Sequence, residues 1–363
     1  MNRASRVIVI VIGGSGYLGG RAVRALARSA LARSGRLEVL VASRRGPLRL
    51  DLADASTFEV LRDADLVLDL ADTTTHRPDA VAAFCRDQGI VFVEGSSDPD
   101  AIRRLATHVG SDRDASGAIV LGAGVFTGVS NLLARAAADE VGGSPRVLTL
   151  GISTSPFSGS GSGTVELMVA MLRRRAVRWA AGVRREEPLS RGPRIVFPSG
   201  ARPTLRAAFP EQDMIAPSTH AHDADVLFAP VPGLLVMAFL MLPGWLLPTR
   251  ALAWIMRAYF TVLRRVLLSG LATRLEMVAQ AVGADARSTS IAVTTRDGME
   301  AGGAAAAAIV LALLDRKERP RGTCFVDDVV TLDDVVARSN AIATERAQLE
   351  KTGPVTTTIA VRT

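Results

Sequence analysis

The chain has 363 residues, 48% of them hydrophobic and 4% aromatic, with a formal net charge of +7. That length gives room for two domains or one with a large insertion. The charge does not read as a nucleic-acid surface, because only Lys317 and Lys351 are lysines, the arginines are dispersed through apparent helices, and no aromatics interleave with them to stack on bases.

The first element is Val7 to Ile12, a continuous β-branched run behind Arg6. Such a run suits a strand buried on both faces of a parallel sheet. It breaks into Gly13-Gly14-Ser15-Gly16-Tyr17-Leu18-Gly19-Gly20 and then into a helical stretch from Arg21 to Arg28. Gly14-x-Gly16-x-x-Gly19 thus fits G-x-G-x-x-G between a strand and a helix, the setting in which that motif predicts a dinucleotide. A turn without Cβ atoms lets backbone approach a pyrophosphate whose charge rests on the N–H groups of the helix N-terminus. Gly13, Gly14, Ser15, Gly16, Tyr17, Leu18 and Gly19 are therefore the candidate phosphate cradle. A strand starting at Val7 leaves no space for a signal peptide.

The second strand, Leu37 to Ala42, ends in Ser43-Arg44-Arg45, where an NAD-binding fold places an acid for the ribose. A hydroxyl and two guanidiniums favour NADP over NAD, since arginine presents a planar fork of donors to phosphate. The next buried strand, Asp65 to Leu70, runs into Ala71-Asp72-Thr73-Thr74-Thr75. Ala71, Thr73 and Thr74 stand at the strand end that faces ligand in open α/β sheets; Thr73 and Thr74 serve equally well as helix caps before Pro78. Hydride chemistry needs a proton donor. His76 follows the threonine turn, although a lone His before Arg77-Pro78 also suits the start of a surface helix. Cys85 and Cys324 make no disulfide framework or zinc spacing and predict a reducing, cytoplasmic setting. Strands follow at Ile90 to Val93, running into Glu94, and at Ala118 to Leu121.

After Leu121 the chain reads Gly122-Ala123-Gly124-Val125-Phe126-Thr127-Gly128-Val129-Ser130-Asn131-Leu132. A last Rossmann strand followed by this turn and helix resembles the saccharopine dehydrogenase-like oxidoreductases. Thr127 stands where that family usually has proline, and Glu94 where it tends to have aspartate. The resemblance extends to Gly151 to Pro156, Gly159 to Gly163, Phe209-Pro210-Glu211 and Gly302-Gly303 with the alanine-rich helix after it. It implies an α/β protein, a Rossmann doubly wound parallel sheet with a second mixed α/β domain. The expected layout is a dinucleotide domain over 1–130, a substrate and dimerisation domain over 131–300, and a segment 301–363 returning to the first. It further implies a homodimer and an NADP-dependent hydride transfer involving a carbonyl, imine or enone. The alternative is a non-catalytic, membrane-associated NADP-binding scaffold or sensor. Glu166, near a helix start in the second domain, is a second candidate acid or base, or simply a favourable first-turn charge. His220 and His222 supply only two ligands, so no metal is expected.

An apolar insertion over 226–269 belongs to the second domain. No charged residue occurs from Val226 to Thr249, but prolines at 230, 232, 243 and 248 break any continuous membrane helix. From Arg250 to Arg274, arginines at 250, 257 and 264 recur on one helical face with Leu252, Ile255, Met256, Phe260 and Leu263 as apolar neighbours. Three readings fit: peripheral contact with the inner face of a membrane, a pocket for a lipid-like substrate, or a subunit interface.

Overall fold

The computed structural model describes residues 6–71, 77–95, 98–112, 114–155, 162–233, 240, 242, 246–247, 249–263, 265 and 274–348. The chain divides into two compact units: Met1–Val129 with Met299–Ala341, and Ser130–Gly298 with Ile342–Thr363.

The first unit opens with β1 (Val7–Ile12), α1 (Tyr17–Ala27), α2 (Ala30–Arg33), β2 (Leu37–Ser43) and β3 (Leu48–Arg49). Then come β4 (Leu66–Asp69), α3 (Asp79–Asp87), β5 (Val91–Glu94), α4 (Pro99–Ala106) and β6 (Ala118–Leu121). Local chemistry sets the boundaries. Asp98 caps α4 by accepting from the Asp100 N–H, with Pro99 preset for the first helical position. Helix α1 has no side-chain cap and no acid in its first turn.

The second unit begins with α5 (Ser130–Glu140), β7 (Val147–Thr154) and α6 (Ser162–Arg173). Two hairpins follow, β8 (Ala176–Ala180) with β9 (Val183–Glu187), and β10 (Ser190–Phe197) with β11 (Gly200–Arg206). Next are α7 (Ile215–Thr219), β12 (Asp223–Pro230), α8 (Arg250–Val262), β13 (Leu275–Val282) and β14 (Ser288–Thr295). The chain then re-enters the first unit as α9 (Gly298–Leu314), β15 (Gly322–Phe325) and α10 (Leu332–Arg338), and ends its described part in β16 (Ala343–Gln348).

The first sheet is seven-stranded, ordered β15-β6-β5-β4-β1-β2-β3, and every pairing in it is parallel. The chain winds from β1 toward β2 on one side and through β4, β5 and β6 on the other, so the order reverses between β1 and β4. Ligands sit at such a reversal, outside the carboxyl ends of the strands. Helix α9 is apolar nearly all round and buries Ala301, Gly302, Gly303, Ala305–Ile309 and more. A Cβ on Gly303 would overlap Arg21 Cβ on α1, and one on Gly302 would lie 2.9 Å from Leu18, so this glycine pair lets two helices of the first unit touch closely.

The second sheet is mixed and nine-stranded: β10-β11-β12-β7-β13-β14-β16, with β8 on β12 and β9 on β8. On one of its faces Ile195, Phe197, Leu227, Ala229 and Val278 form a core cluster. One expectation needs correction. Segment 301–363 does not return to the first unit as a whole: β16 pairs antiparallel with β14, completing an edge that would otherwise expose its amides. Within the stretch 250–274 the described helix is α8, capped by Thr249; residues 264 and 266–273 lie outside the described residues, and Ile255 points to solvent while Leu252, Ala253, Met256 and Phe260 are buried.

Candidate dinucleotide site

The turn from Gly13 to Gly19 links β1 to α1 at the sheet's reversal. Gly13 has φ +73°, the left-handed region, and its carbonyl oxygen accepts from the Gly16 N–H at 2.9 Å, closing the turn. A Cβ on Gly13 would lie 2.8 Å from Leu70 O and 2.9 Å from Ala71 N. One on Gly14 would lie 2.9 Å from both Val41 methyls on β2, and one on Gly19 would overlap Gly13 O. The three glycines therefore press the turn against β4, against β2 and against the start of α1. Ser15, Gly16 and Tyr17 remain exposed above it, and the uncapped first N–H groups of α1 open beside them. An exposed backbone cradle with partial positive charge and no acid of its own is built for an anion.

Two neighbours frame the cradle. Arg21, one turn into α1, stacks 3.8 Å above the Tyr17 ring, donates from Nη1 to Tyr17 O at 2.9 Å, and has Nε 3.2 Å from Glu300 of α9. On the other side, β2 runs in register with β1, Ala42 beside Ile12, so Ser43 to Arg45 leave the sheet next to Gly13. Arg44 and Arg45 are exposed, and among the described residues neither has an ion-pair partner. Ala71 closes the third side; its N–H donates to Asp69 Oδ1 at 2.9 Å. The structure thus gathers Gly13, Gly14, Ser15, Gly16, Tyr17, Leu18, Gly19, Ser43, Arg44, Arg45 and Ala71 at one edge. Thr73, Thr74 and His76 lie outside the described residues. Glu166 belongs to the second unit, where both its carboxylate oxygens accept from Arg257 Nε at 2.8 Å; that ion pair joins α6 to α8.

Two carboxylates, Asp69 and the Glu94 already noted at its strand end, also populate this edge. Asp69 and Glu94 end adjacent parallel strands in register and are 1% and 0% exposed. Burial pushes the Asp69 carboxyl up to about 6, against the pull of the Ala71 N–H. Cys85 on α3 is raised by burial and by the Asp69 charge. The clue was an acid at the end of Leu-Val-Leu-Asp, a polar residue where the strand should still be buried. Further along, Gly122 and Gly124 take φ +112° and +83°, and Thr127 takes φ +60°, unusual for a β-branched residue. Proline is locked near −65°, so the turn at Thr127 is one that proline cannot form.

The second unit holds a buried polar cluster of its own. On β13, Glu276 is 1% exposed and accepts from Ser199 Oγ, with Arg202 Nη2 at 3.7 Å and Arg274 Nε at 2.9 Å. Arg202 also donates to Ser153 at 3.0 Å and to Ser199 at 2.6 Å. At the start of α5, Ser130 Oγ donates to the buried Glu211 at 2.9 Å. Among the described residues no three His, Cys, Asp or Glu converge as for a metal.

Against solved structures, the chain aligns with apo saccharopine dehydrogenase (L-Glu forming) from Saccharomyces cerevisiae at a TM-score of 0.61 and 14% identity, over 94% of this chain and 99% of that one. The chain shares the saccharopine dehydrogenase fold. Alignments also reach a meso-diaminopimelate dehydrogenase mutant from Clostridium tetani (TM-score 0.44, 9% identity, 91% and 96% covered) and the WlbA dehydrogenase from Thermus thermophilus in complex with NAD and UDP-GlcNAcA (0.38, 12%, 92% and 93%). No protein-family profile matches the sequence, and no curated protein matches it.

Proposed function

We propose that this protein is an NADP-dependent oxidoreductase of the saccharopine dehydrogenase-like group. The observation that carries the reading is the bare glycine cradle at the uncapped end of α1, flanked by Arg44 and Arg45, which have no carboxylate partner among the described residues. The whole-chain likeness to the yeast dehydrogenase supports the same class. When bound, the nicotinamide supplies hydride chemistry toward a carbonyl, imine or enone. The chain's own part is to hold the pyrophosphate on the backbone N–H groups of Gly14 to Gly19 and the 2′-phosphate on Ser43, Arg44 and Arg45. Arg21, fixed between Tyr17 and Glu300, keeps the aromatic lip of the cradle in place. For the proton donor the sequence offers His76, which lies outside the described residues, and Glu166, whose carboxylate is paired with Arg257.

Calorimetric titration tests the cofactor assignment. NADPH binds more tightly than NADH, and Arg44→Ala weakens NADPH by about 10- to 100-fold, the worth of one charge-assisted hydrogen bond, while NADH affinity changes less than about twofold. Equal affinities in the unmodified protein overturn the phosphate assignment. Absence of any dinucleotide binding overturns the function.

A further inference from the structure

Helix α8 carries its apolar residues on the wrong side as well as the right one. Its inner side buries Leu252, Ala253, Met256 and Phe260. On its outer side Trp254 is 70% exposed, Ile255 54% and Val262 56%. These are three of the five large hydrophobic residues that stand exposed among the described residues, the others being Tyr17 and Val183. At 3.6 residues per turn, Trp254, Ala258, Ala251, Val262 and Ile255 fall on one continuous strip. Arg250 and Arg257 border that strip on its Trp254 side.

The charges on this helix are as unusual as its greasy strip. Arg250 opens α8 at the end where the helix dipole disfavours a cation, and no acid occupies the first turn. From residue 226 to residue 275 the chain has five arginines (250, 257, 264, 265 and 274) and neither Asp nor Glu. Arg257 is satisfied by Glu166. Arg250 and Arg265 are exposed with no carboxylate partner among the described residues. A surface that leaves a tryptophan, an isoleucine and a valine in water beside uncompensated guanidiniums is selected for an anionic, apolar-backed partner.

We infer that the outer face of α8 docks in the plane of an anionic lipid bilayer, with Trp254, Ile255 and Val262 at the acyl boundary and Arg250 and Arg265 on lipid phosphates. A second copy of the chain fits less well. A two-fold contact through this strip would set arginine near arginine, and segment 226–275 offers no acid to answer them. Among the described residues no helix is long and apolar enough to cross a membrane, so contact made by α8 is peripheral. The inference is independent of the cofactor assignment.

Co-sedimentation of the full chain with vesicles tests it. The protein pellets with phosphatidylcholine vesicles containing phosphatidylglycerol, stays in the supernatant with phosphatidylcholine alone, and is released by added salt. Trp254→Ser with Ile255→Ser lowers the partition coefficient at least about tenfold. Arg250→Gln with Arg265→Gln lowers it about 20- to 30-fold, roughly fivefold per arginine. All four side chains are solvent-exposed, so both variants keep the wild-type circular dichroism and NADPH titration. Failure to bind anionic vesicles overturns the inference, as does binding that the Trp254 and Ile255 changes leave intact. Sedimentation velocity showing a dimer that Trp254→Ser dissolves, without vesicle binding, overturns it in favour of self-association.

Discussion

Arginine does opposite work at the edge of the first sheet and around the acids of the second. At the edge of the first sheet, Arg44 and Arg45 follow β2 into solvent with no described carboxylate against them. In the second unit, outside α8, several arginines answer enclosed acids: Arg206 Nε lies 2.8 Å from Asp225, Arg184 Nε 2.7 Å from Asp213, and Arg202 with Arg274 flanks Glu276. Composition cannot separate these uses. Partnership does, because a guanidinium already neutralised by a buried carboxylate is part of the fold, and one left bare at a strand end is available to phosphate.

The contrast breaks most completely at the glycine turn, without which bare arginines have nothing to flank. A side chain at Gly19 has no space against Gly13 O. Gly19→Val therefore abolishes NADPH binding in a calorimetric titration while the second unit keeps its ion pairs. Retained affinity would show that the cradle is not where the pyrophosphate rests.

The paired side breaks through stability. Burial holds the Asp225 carboxyl above its ordinary value and Arg206 pulls it back down. Arg206→Met leaves that acid enclosed without its cation, a loss of about 2 kcal/mol for a pair that retains slight solvent contact. Urea denaturation should show the drop, with NADPH affinity unchanged in the folded variant. Arg44→Ala gives the mirror image: stability within about 0.5 kcal/mol of wild type and weakened NADPH.

These differences track what could be read from sequence. The first sheet was legible because a parallel strand buried on both faces is written as an unbroken apolar run, and β1, β4 and β6 each end at a glycine or acid that stops it. The second sheet was not. Strands β10 and β11 contain Gly192, Pro193, Pro203 and four arginines, and their register shifts between Gly192 and Ile195; the pattern looks like loop until Ile195 and Phe197 meet Leu227 and Val278. Arg274 lies two residues from Glu276, but Ser199 and Arg202 reach it from β11 and the turn before it, and Arg202 in turn donates to Ser153 of β7, so no local spacing announces the whole cluster. Of the candidate site, the glycine turn and the Ser43 to Arg45 corner were legible as local motifs. The carboxylates Asp69 and Glu94 meet only through strand register. The direction of Ile255 escaped the helical pattern because Leu252, Met256 and Phe260 already fill the inner face.

The smallest expected effect sharpens the comparison from the acid side, because Asp69 is a buried carboxylate at the edge of the first sheet that no described arginine answers. Its Oδ1 takes the Ala71 N–H, and Oδ2 has no hydrogen-bond partner among the described residues. With the folded carboxyl near 6 and the unfolded one near 3.8, the folded chain binds the extra proton between those values. Stability is therefore undiminished below the unfolded pKa and is lost as pH rises from about 4 to about 6. A shift of about two units caps the penalty near 3 kcal/mol. Asp69→Asn keeps the acceptor for Ala71 and removes the charge, but its new amide donors, if unpaired, return about 1–3 kcal/mol of that gain. The net expectation is a stabilisation of about 1 kcal/mol at pH 7.5, a rise of a few degrees in Tm, together with loss of the pH dependence between 4 and 6. A variant whose stability follows pH as the wild type does would place that titration on another group, leaving the first sheet's edge without the uncompensated acid that sets it apart from Asp225 and Glu276.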